Sequence, residues 1–153
     1  MIQLIADGLI IPIVLIGGFS LWFFVSRPKV EAYKYMVLAG LTSLLCAKLL
    51  SVLYQPGSER PFQALGREAG ALYLDNPGFP SDHALFVTVI VVAVWALTKR
   101  RKLAIVLALL ALLVCVGRVL ALVHTPADVI GGIACGLIGG LWYLNMHKHK
   151  NNA

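Results

Sequence analysis

Three side chains in the last quarter of the sequence have the types and spacing of a phosphate site that uses histidine as its nucleophile. Arg118 is followed by five apolar residues and then by His124, and Asp128 lies four residues beyond that histidine. A carboxylate at this distance can hold one ring nitrogen and leave the other to attack phosphorus. An arginine supplies a permanently charged, planar fork that matches phosphate oxygens.

A second polar block, Pro80-Ser81-Asp82-His83, precedes an apolar run and has the pattern of a helix start. Ser81 is a good N-cap, and Asp82 suits the first helical turn. The N–H groups at such a helix start favour a bound phosphate, and His83 would lie beside it. The structural alternative is a capped helix with a hydrogen-bonded histidine.

Asp128 also has a local structural explanation. The segment Thr125-Pro126-Ala127-Asp128 resembles a capped helix start, with threonine as N-cap and proline at the first helical position. Arg118 and His124 have no such explanation, because an ionisable group in an apolar segment is costly to bury without a partner. This pair therefore carries most of the functional interpretation.

The composition places these groups in a membrane. Of the 153 residues, 59% are hydrophobic and only 13% are charged, whereas a soluble domain carries about 25% charged residues. We therefore expect an all-α integral membrane bundle of about five transmembrane helices, formed as one domain over residues 1–153. The three cysteines lie in apolar runs without metal-ligand spacing, so no metal or other cofactor is predicted.

The predicted spans follow five apolar runs, at residues 8–25, 35–53, 81–97, 103–123 and 126–146. The segments after the first and third spans and the C-terminus then lie on one side and hold nine of the thirteen Lys and Arg residues. This side is predicted to be cytoplasmic. The net charge of +6 is thereby explained by orientation, which favours membrane lipids over nucleic acid as partners. Both polar blocks, and Arg60 in the 55–79 loop, are predicted to face the outer side.

Three motifs together resemble the signatures of the type 2 phosphatidic acid phosphatase superfamily. The spacing of Arg118, His124 and Asp128 resembles its third signature, and residues 80–83 resemble the second, which is usually Pro-Ser-Gly-His. Arg60 and the proline after it match the end of the first signature. In that signature a lysine usually lies seven residues before the arginine, whereas Lys48 lies twelve residues before Arg60.

Two details refine the resemblance. The sequence at 79–83, together with Arg60-Pro61-Phe62, is most similar to the bacitracin-resistance type of undecaprenyl-diphosphatase, a group of short bacterial membrane enzymes with an outward-facing site. Gly117 stands where a serine often precedes the signature arginine. The resemblance covers roughly residues 35 to 145, so it leaves out the first span and the tail.

The resemblance implies a two-step mechanism that needs no metal. His124 attacks the terminal phosphorus and forms a phosphohistidine, while Asp128 orients the imidazole. His83 protonates the leaving phosphate oxygen and then activates water.

The resemblance also implies the phosphate-binding groups. Arg60 and Arg118 hold the phosphoryl oxygens, and Ser81 with nearby amides completes the site. Lys48 and Asp82 are further candidates, the latter for tuning its neighbours.

The implied reaction is hydrolysis of a polyprenyl (undecaprenyl) diphosphate to the monophosphate, in recycling of the cell-wall lipid carrier at the outer face of the cytoplasmic membrane. Two alternatives stay open. One is a phosphatase for phosphatidylglycerophosphate or phosphatidate, because head-group contacts would come from the 55–79 loop. The other is a non-catalytic lipid-binding or transport protein whose polar blocks only cap helices. The sequence leaves the oligomeric state open.

Overall fold

The computed structural model describes residues 1–26, 28–55, 59–74, 76 and 78–151, and of residues 147–151 only the backbone. Within these residues the protein is all-α, which confirms the predicted fold class. A π-helical segment, Leu4–Gly8, leads into the first α-helix. The helices are α1 (Ile10–Phe23), α2 (Lys29–Leu53), α3 (Pro61–Ala64), α4 (Asp82–Leu97), α5 (Arg101–Leu120), α6 (Pro126–Gly140) and α7 (Trp142–Asn151).

Several apolar helices make the chain a multi-pass membrane protein. Within the described residues, four helical segments are long and apolar enough to cross a membrane: Leu4–Phe23, Lys29–Leu53, Arg101–Leu120 and Pro126–Met146. They correspond to the first, second, fourth and fifth predicted spans. The third predicted span is α4, which is apolar but has only 16 residues. At 1.5 Å per residue α4 is about 24 Å long, shorter than the roughly 30 Å of a bilayer's hydrocarbon core.

Helical structure begins before the apolar run at two of the predicted spans. Helix α2 begins at Lys29, six residues before the second predicted span, which starts near residue 35. Its polar first turns are helical but not apolar, and hydropathy detects only the apolar part. Helical structure also begins before the first predicted span, which starts near residue 8, because the π-helical segment begins at Leu4 and includes Asp7. That carboxylate interrupts the apolar run in the sequence, but in the fold it is paired with Arg118.

Helix α5 ends at Leu120, three residues before the predicted end of the fourth span near residue 123. The apolar run continues, yet Leu122 has a φ of 59°, which a leucine rarely adopts. The turn exposes backbone acceptors, and the Leu122 carbonyl oxygen accepts a hydrogen bond of 3.0 Å from the Phe62 N–H. Strained backbone of this kind often occurs next to functional residues, and His124 is two residues away.

Helix α4 lies in the middle of the bundle and packs against α6, α5, α1 and α2. The closest approach is to α6, where glycines leave room for backbone contact. A Cβ on Gly132 would lie 3.0 Å from the Cβ of Ala84 and 3.1 Å from the nitrogen of Leu85. At the start of both helices, the Ser81 N–H donates a hydrogen bond of 2.9 Å to the Asp128 carbonyl oxygen. This packing brings the two polar blocks of the sequence together.

The bundle has two chemically different ends. At the end where α4 stops, the Ser26 N–H donates to the Leu97 carbonyl oxygen at 3.0 Å, and the Arg100 guanidinium lies 4.3 Å from the Phe24 ring. The basic residues 99–102 are therefore near the end of α1. The polar blocks lie at the opposite end, about 24 Å away along α4.

Candidate active site

His124 lies in the turn between α5 and α6, immediately before a well-capped helix. The Thr125 N–H donates to Asp128 Oδ2 at 2.7 Å, and the Asp128 N–H donates to Thr125 Oγ1 at 3.2 Å. These reciprocal bonds form a capping box. The predicted capping role of Asp128 is therefore present, and it fixes the carboxylate one turn below the histidine.

The same Asp128 oxygen also faces the imidazole. His124 Nδ1 lies 3.5 Å from Asp128 Oδ2, and this buried nitrogen has no hydrogen-bond partner among the described residues. Burial lowers the pKa of His124, the nearby Asp128 carboxylate opposes that shift, and the charges of Arg118 and Arg60 lower the pKa further. The imidazole therefore stays neutral down to a lower pH than an ordinary histidine does. Neutral imidazole is the nucleophilic form.

Arg60 is buried beside this turn and holds its backbone. Its Nη1 donates to the Val123 carbonyl oxygen at 2.6 Å, and its Nη2 donates to the Leu74 carbonyl oxygen at 2.9 Å and to Asn76 Oδ1 at 2.7 Å. The guanidinium also lies 5.4 Å from the Tyr73 ring. Arg60 thus joins the long loop to the residue before His124 and adds positive charge next to the imidazole.

Arg118 is 1% exposed and forms an ion pair with a residue of the π-helical segment before α1. Its Nη1 lies 2.5 Å from Asp7 Oδ1. Within the described part of the chain, its buried Nε has no hydrogen-bond partner. Protein groups therefore use only part of the hydrogen-bonding capacity of this guanidinium.

His83 and Ser81 lie at the start of α4, beside this ion pair. His83 Nε2 is 3.8 Å from Asp7 Oδ1, and the side chain is 30% exposed. Ser81 is fully buried as the N-cap of α4, and its Oγ accepts a long hydrogen bond of 3.5 Å from the Ala84 N–H. His83 is therefore within reach of a ligand, whereas Ser81 contributes mainly by shaping the helix start.

Asp7 is the site residue that the sequence did not predict. It lies before the predicted first span and outside every recognised motif, and 111 residues separate it from Arg118. A signal was present in the sequence, since a lone carboxylate inside an apolar helix needs a partner. The sequence could not show which cation that partner is.

Lys48 and Asp82 lie apart from the ion pair. Both are exposed, and they line a pocket of about 170 Å³ between α2 and the long loop, together with Ser51, Gln55 and Asn76. Neither Arg118 nor His124 lines this pocket. The structure therefore brings together six of the predicted groups and places Lys48 and Asp82 at the edge: Arg60, Ser81, His83, Arg118, His124 and Asp128.

Comparison with known proteins identifies the family. A family model described as the PAP2 superfamily matches residues 32–152. No match was found among curated proteins or among solved structures. The matched range contains all three sequence motifs and leaves out Asp7. Since it covers most of the 153 residues, the chain belongs to the PAP2 superfamily, which includes lipid phosphatases.

Proposed function

We propose that the protein is a membrane lipid phosphatase that transfers the terminal phosphoryl group of its substrate to His124 and then to water. The observation that carries this proposal is a buried imidazole held against Asp128 and next to two arginines. A metal-free phosphoryl transfer needs a nucleophile, an orienting carboxylate and positive charge on the equatorial oxygens. All three are within one end of the bundle.

In the first step, His124 Nε2 attacks the terminal phosphorus, because Nδ1 faces Asp128. A P–N bond forms, and the bond between phosphorus and the leaving oxygen breaks with its electron pair going to that oxygen. His83 donates a proton to the leaving oxygen. Asp128 stabilises the positive charge that develops on His124.

In the second step, water attacks the phosphohistidine, and His83 accepts a proton from that water. The P–N bond breaks, inorganic phosphate is released, and His124 returns to its neutral form. Arg118 holds phosphoryl oxygens during both steps, and Arg60 contributes charge while positioning the turn before His124. Ser81 places the N-terminal amides of α4 toward the phosphate.

The lipid part of the substrate has a candidate position. An apolar groove of about 210 Å³ lies among α4, α5 and α6, lined at its near end by Cys115 and Ile133. Cys115 is three residues before Arg118, so the groove begins close to the site and continues along the bundle. Ala108 and Leu137 line its far part. A chain in this groove would keep its head group at the arginine.

The substrate we propose is a polyprenyl diphosphate at the outer face of the cytoplasmic membrane. The support is the motif resemblance at 79–83 and at Arg60-Pro61-Phe62, together with the positive-inside orientation of the basic residues 99–102. Hydrolysis would leave the polyprenyl monophosphate.

The decisive experiment compares wild-type protein with His124→Ala on a panel of lipid phosphates. Polyprenyl diphosphate, phosphatidylglycerophosphate and phosphatidate, each with a labelled terminal phosphate, are mixed with purified protein and quenched in alkali. We expect labelled phosphohistidine, which survives alkali but not acid, in the wild type and none in the variant. Size-exclusion profiles in detergent check that both proteins are folded.

Each result of the panel has a distinct meaning. A strong preference for a glycerolipid monophosphate would reject the polyprenyl substrate but keep the phosphatase. Phosphate release by His124→Ala at the wild-type rate would reject the nucleophile. No release from any lipid by the wild type would favour a non-catalytic lipid-binding protein, and loss of activity in EDTA would contradict the metal-free mechanism.

A further inference from the structure

We propose that Asp7 is an internal competitor for the phosphate site: its carboxylate and a phosphoryl group use the same N–H groups of Arg118. The inference rests on the proposed function, which assigns Arg118 to the phosphate. It concerns a residue of the π-helical segment Leu4–Gly8, outside the range 32–152 that matches the family. Asp7 would therefore set how tightly this protein binds phosphate.

The contact geometry places Asp7 where a phosphoryl oxygen would bind. Asp7 Oδ1 lies 2.5 Å from Arg118 Nη1 and 3.8 Å from His83 Nε2. Carboxylate and phosphoryl oxygens are both anionic acceptors that suit the same guanidinium. A phosphate between Arg118 and His83 would have to take the place of this carboxylate oxygen.

The exposed fractions of the three side chains also indicate that Asp7 lies between a ligand and Arg118. The side chain of Arg118 is 1% exposed, that of Asp7 is 15% exposed and that of His83 is 30% exposed. Because the Asp7 oxygen contacts both neighbours, a ligand that approaches from the His83 side meets the carboxylate before it meets the guanidinium. Binding to Arg118 therefore requires Asp7 to move.

Arg118 has hydrogen-bonding capacity that Asp7 does not use. Within the described residues its buried Nε has no hydrogen-bond partner, although the side chain is almost fully enclosed. An unpartnered buried donor is unfavourable. A phosphoryl group has several acceptor oxygens, so it can accept more hydrogen bonds from the guanidinium than one carboxylate oxygen does. The hydrogen bonds to phosphate can therefore replace the lost contact with Asp7.

The packing of the N-terminal segment and a hydrogen bond hold Asp7 next to Arg118. The Leu4–Gly8 segment is π-helical, a rare form that often occurs at functional sites. It packs on α5 at Gly117, where a Cβ would lie 2.9 Å from the Ala6 nitrogen. The second oxygen, Asp7 Oδ2, accepts a hydrogen bond of 2.9 Å from the Leu72 N–H.

Competition and simple support predict opposite effects of removing the charge. If Asp7 competes with phosphate, Asp7→Asn removes a negative charge from the site and strengthens phosphate binding. If Asp7 only holds Arg118 in place, the same change leaves the guanidinium disordered and weakens binding. The direction of the change therefore decides between the two roles.

The test measures the dissociation constant of inorganic phosphate for the purified full-length protein in detergent, by calorimetry at constant salt. We expect about tenfold tighter binding by Asp7→Asn, because a like charge near the ligand is removed. Glu68→Gln, a matched loss of charge in the exposed loop, should stay within about twofold of wild type. The KM for a short-chain lipid phosphate should fall in parallel with the phosphate constant.

Unchanged or weaker phosphate binding by Asp7→Asn would overturn the inference, and so would the absence of measurable binding by both proteins. A second measurement needs no variant. In wild-type protein, added phosphate should speed hydrogen exchange in the peptide that contains Leu72 at least about threefold, since its N–H loses the Asp7 acceptor. Slower or equal exchange there would contradict the displacement. Neither measurement depends on turnover, so failure of the wild type to hydrolyse any lipid phosphate would reject the proposed function separately.

Discussion

Arg60 Nη1 donates a hydrogen bond of 2.6 Å to the carbonyl oxygen of Val123, the residue immediately before His124. The same guanidinium reaches Leu74 and Asn76 in the long loop. A single side chain thus connects the first sequence motif to the third. Its planar fork is what allows it to reach acceptors on both sides, and an ammonium group cannot reproduce that geometry.

We predict that Arg60→Lys lowers kcat/KM about a hundredfold, although it keeps the charge. The substituted side chain cannot hold Val123 and the loop at once, and displacement of a reacting group by about 1 Å has an effect of this size. Initial rates of phosphate release from a lipid substrate would measure it. Arg67→Lys is the matched control, because Arg67 is exposed in the same loop. Equal rates for Arg60→Lys and wild type would show that only the charge of Arg60 matters.

Much of the fold and part of the site could be predicted from sequence, for local reasons. The four-residue spacing of His124 and Asp128 fixes their contact within one turn, and apolar runs locate the four long apolar segments and α4. The pairing of Asp7 with Arg118 depends on how the first helix packs on α5, which no local pattern encodes. The positive φ of Leu122 was likewise hidden, because the residue continues an apolar run.

The acid limb of kcat/KM should lie below pH 6.5, the ordinary value for histidine. His124 attacks only as neutral imidazole, and burial lowers its pKa, so protonation stops the reaction only at a lower pH. Asp128 opposes this shift, so Asp128→Asn should move the limb to still lower pH while reducing the plateau rate. Comparing both proteins on one substrate cancels the titration of the substrate phosphate. A limb that moves to higher pH in Asp128→Asn would contradict the assignment of the nucleophile.

The apolar groove leads to a prediction about chain length. Ala108 lines the groove and is exposed, so Ala108→Phe should fill it without crowding the core. We expect the KM for a long-chain lipid phosphate to rise about tenfold, which corresponds to losing the burial of one or two methylene groups. The KM for a short-chain, water-soluble substrate should not change. Ala134→Phe is the control, since Ala134 is exposed on α6 and does not line the groove. Equal effects on both substrates would place the lipid chain elsewhere.

The close packing of α4 and α6 should be necessary for both stability and catalysis. A Cβ at Gly132 would meet Ala84 and the backbone nitrogen of Leu85, so Gly132→Ala must push the two helices apart. We expect it to lower the free energy of unfolding by about 1–3 kcal/mol, as overpacking does. It should also separate His83 on α4 from His124 and lower kcat about a hundredfold. Thermal unfolding in detergent and single-turnover rates would measure the two effects.

Gly40→Ala is the matched control for this packing prediction. A Cβ at Gly40 meets nothing within 4 Å, although the residue is also in the interior of a helix. Alanine there should stabilise α2 by about 0.5–1 kcal/mol through its better helix propensity, with no change in turnover. If Gly132→Ala behaves like Gly40→Ala, the two helix starts are not held together at this glycine. The contact between the Ser81 N–H and the Asp128 carbonyl oxygen would then have to maintain the site without help from the helix packing below it.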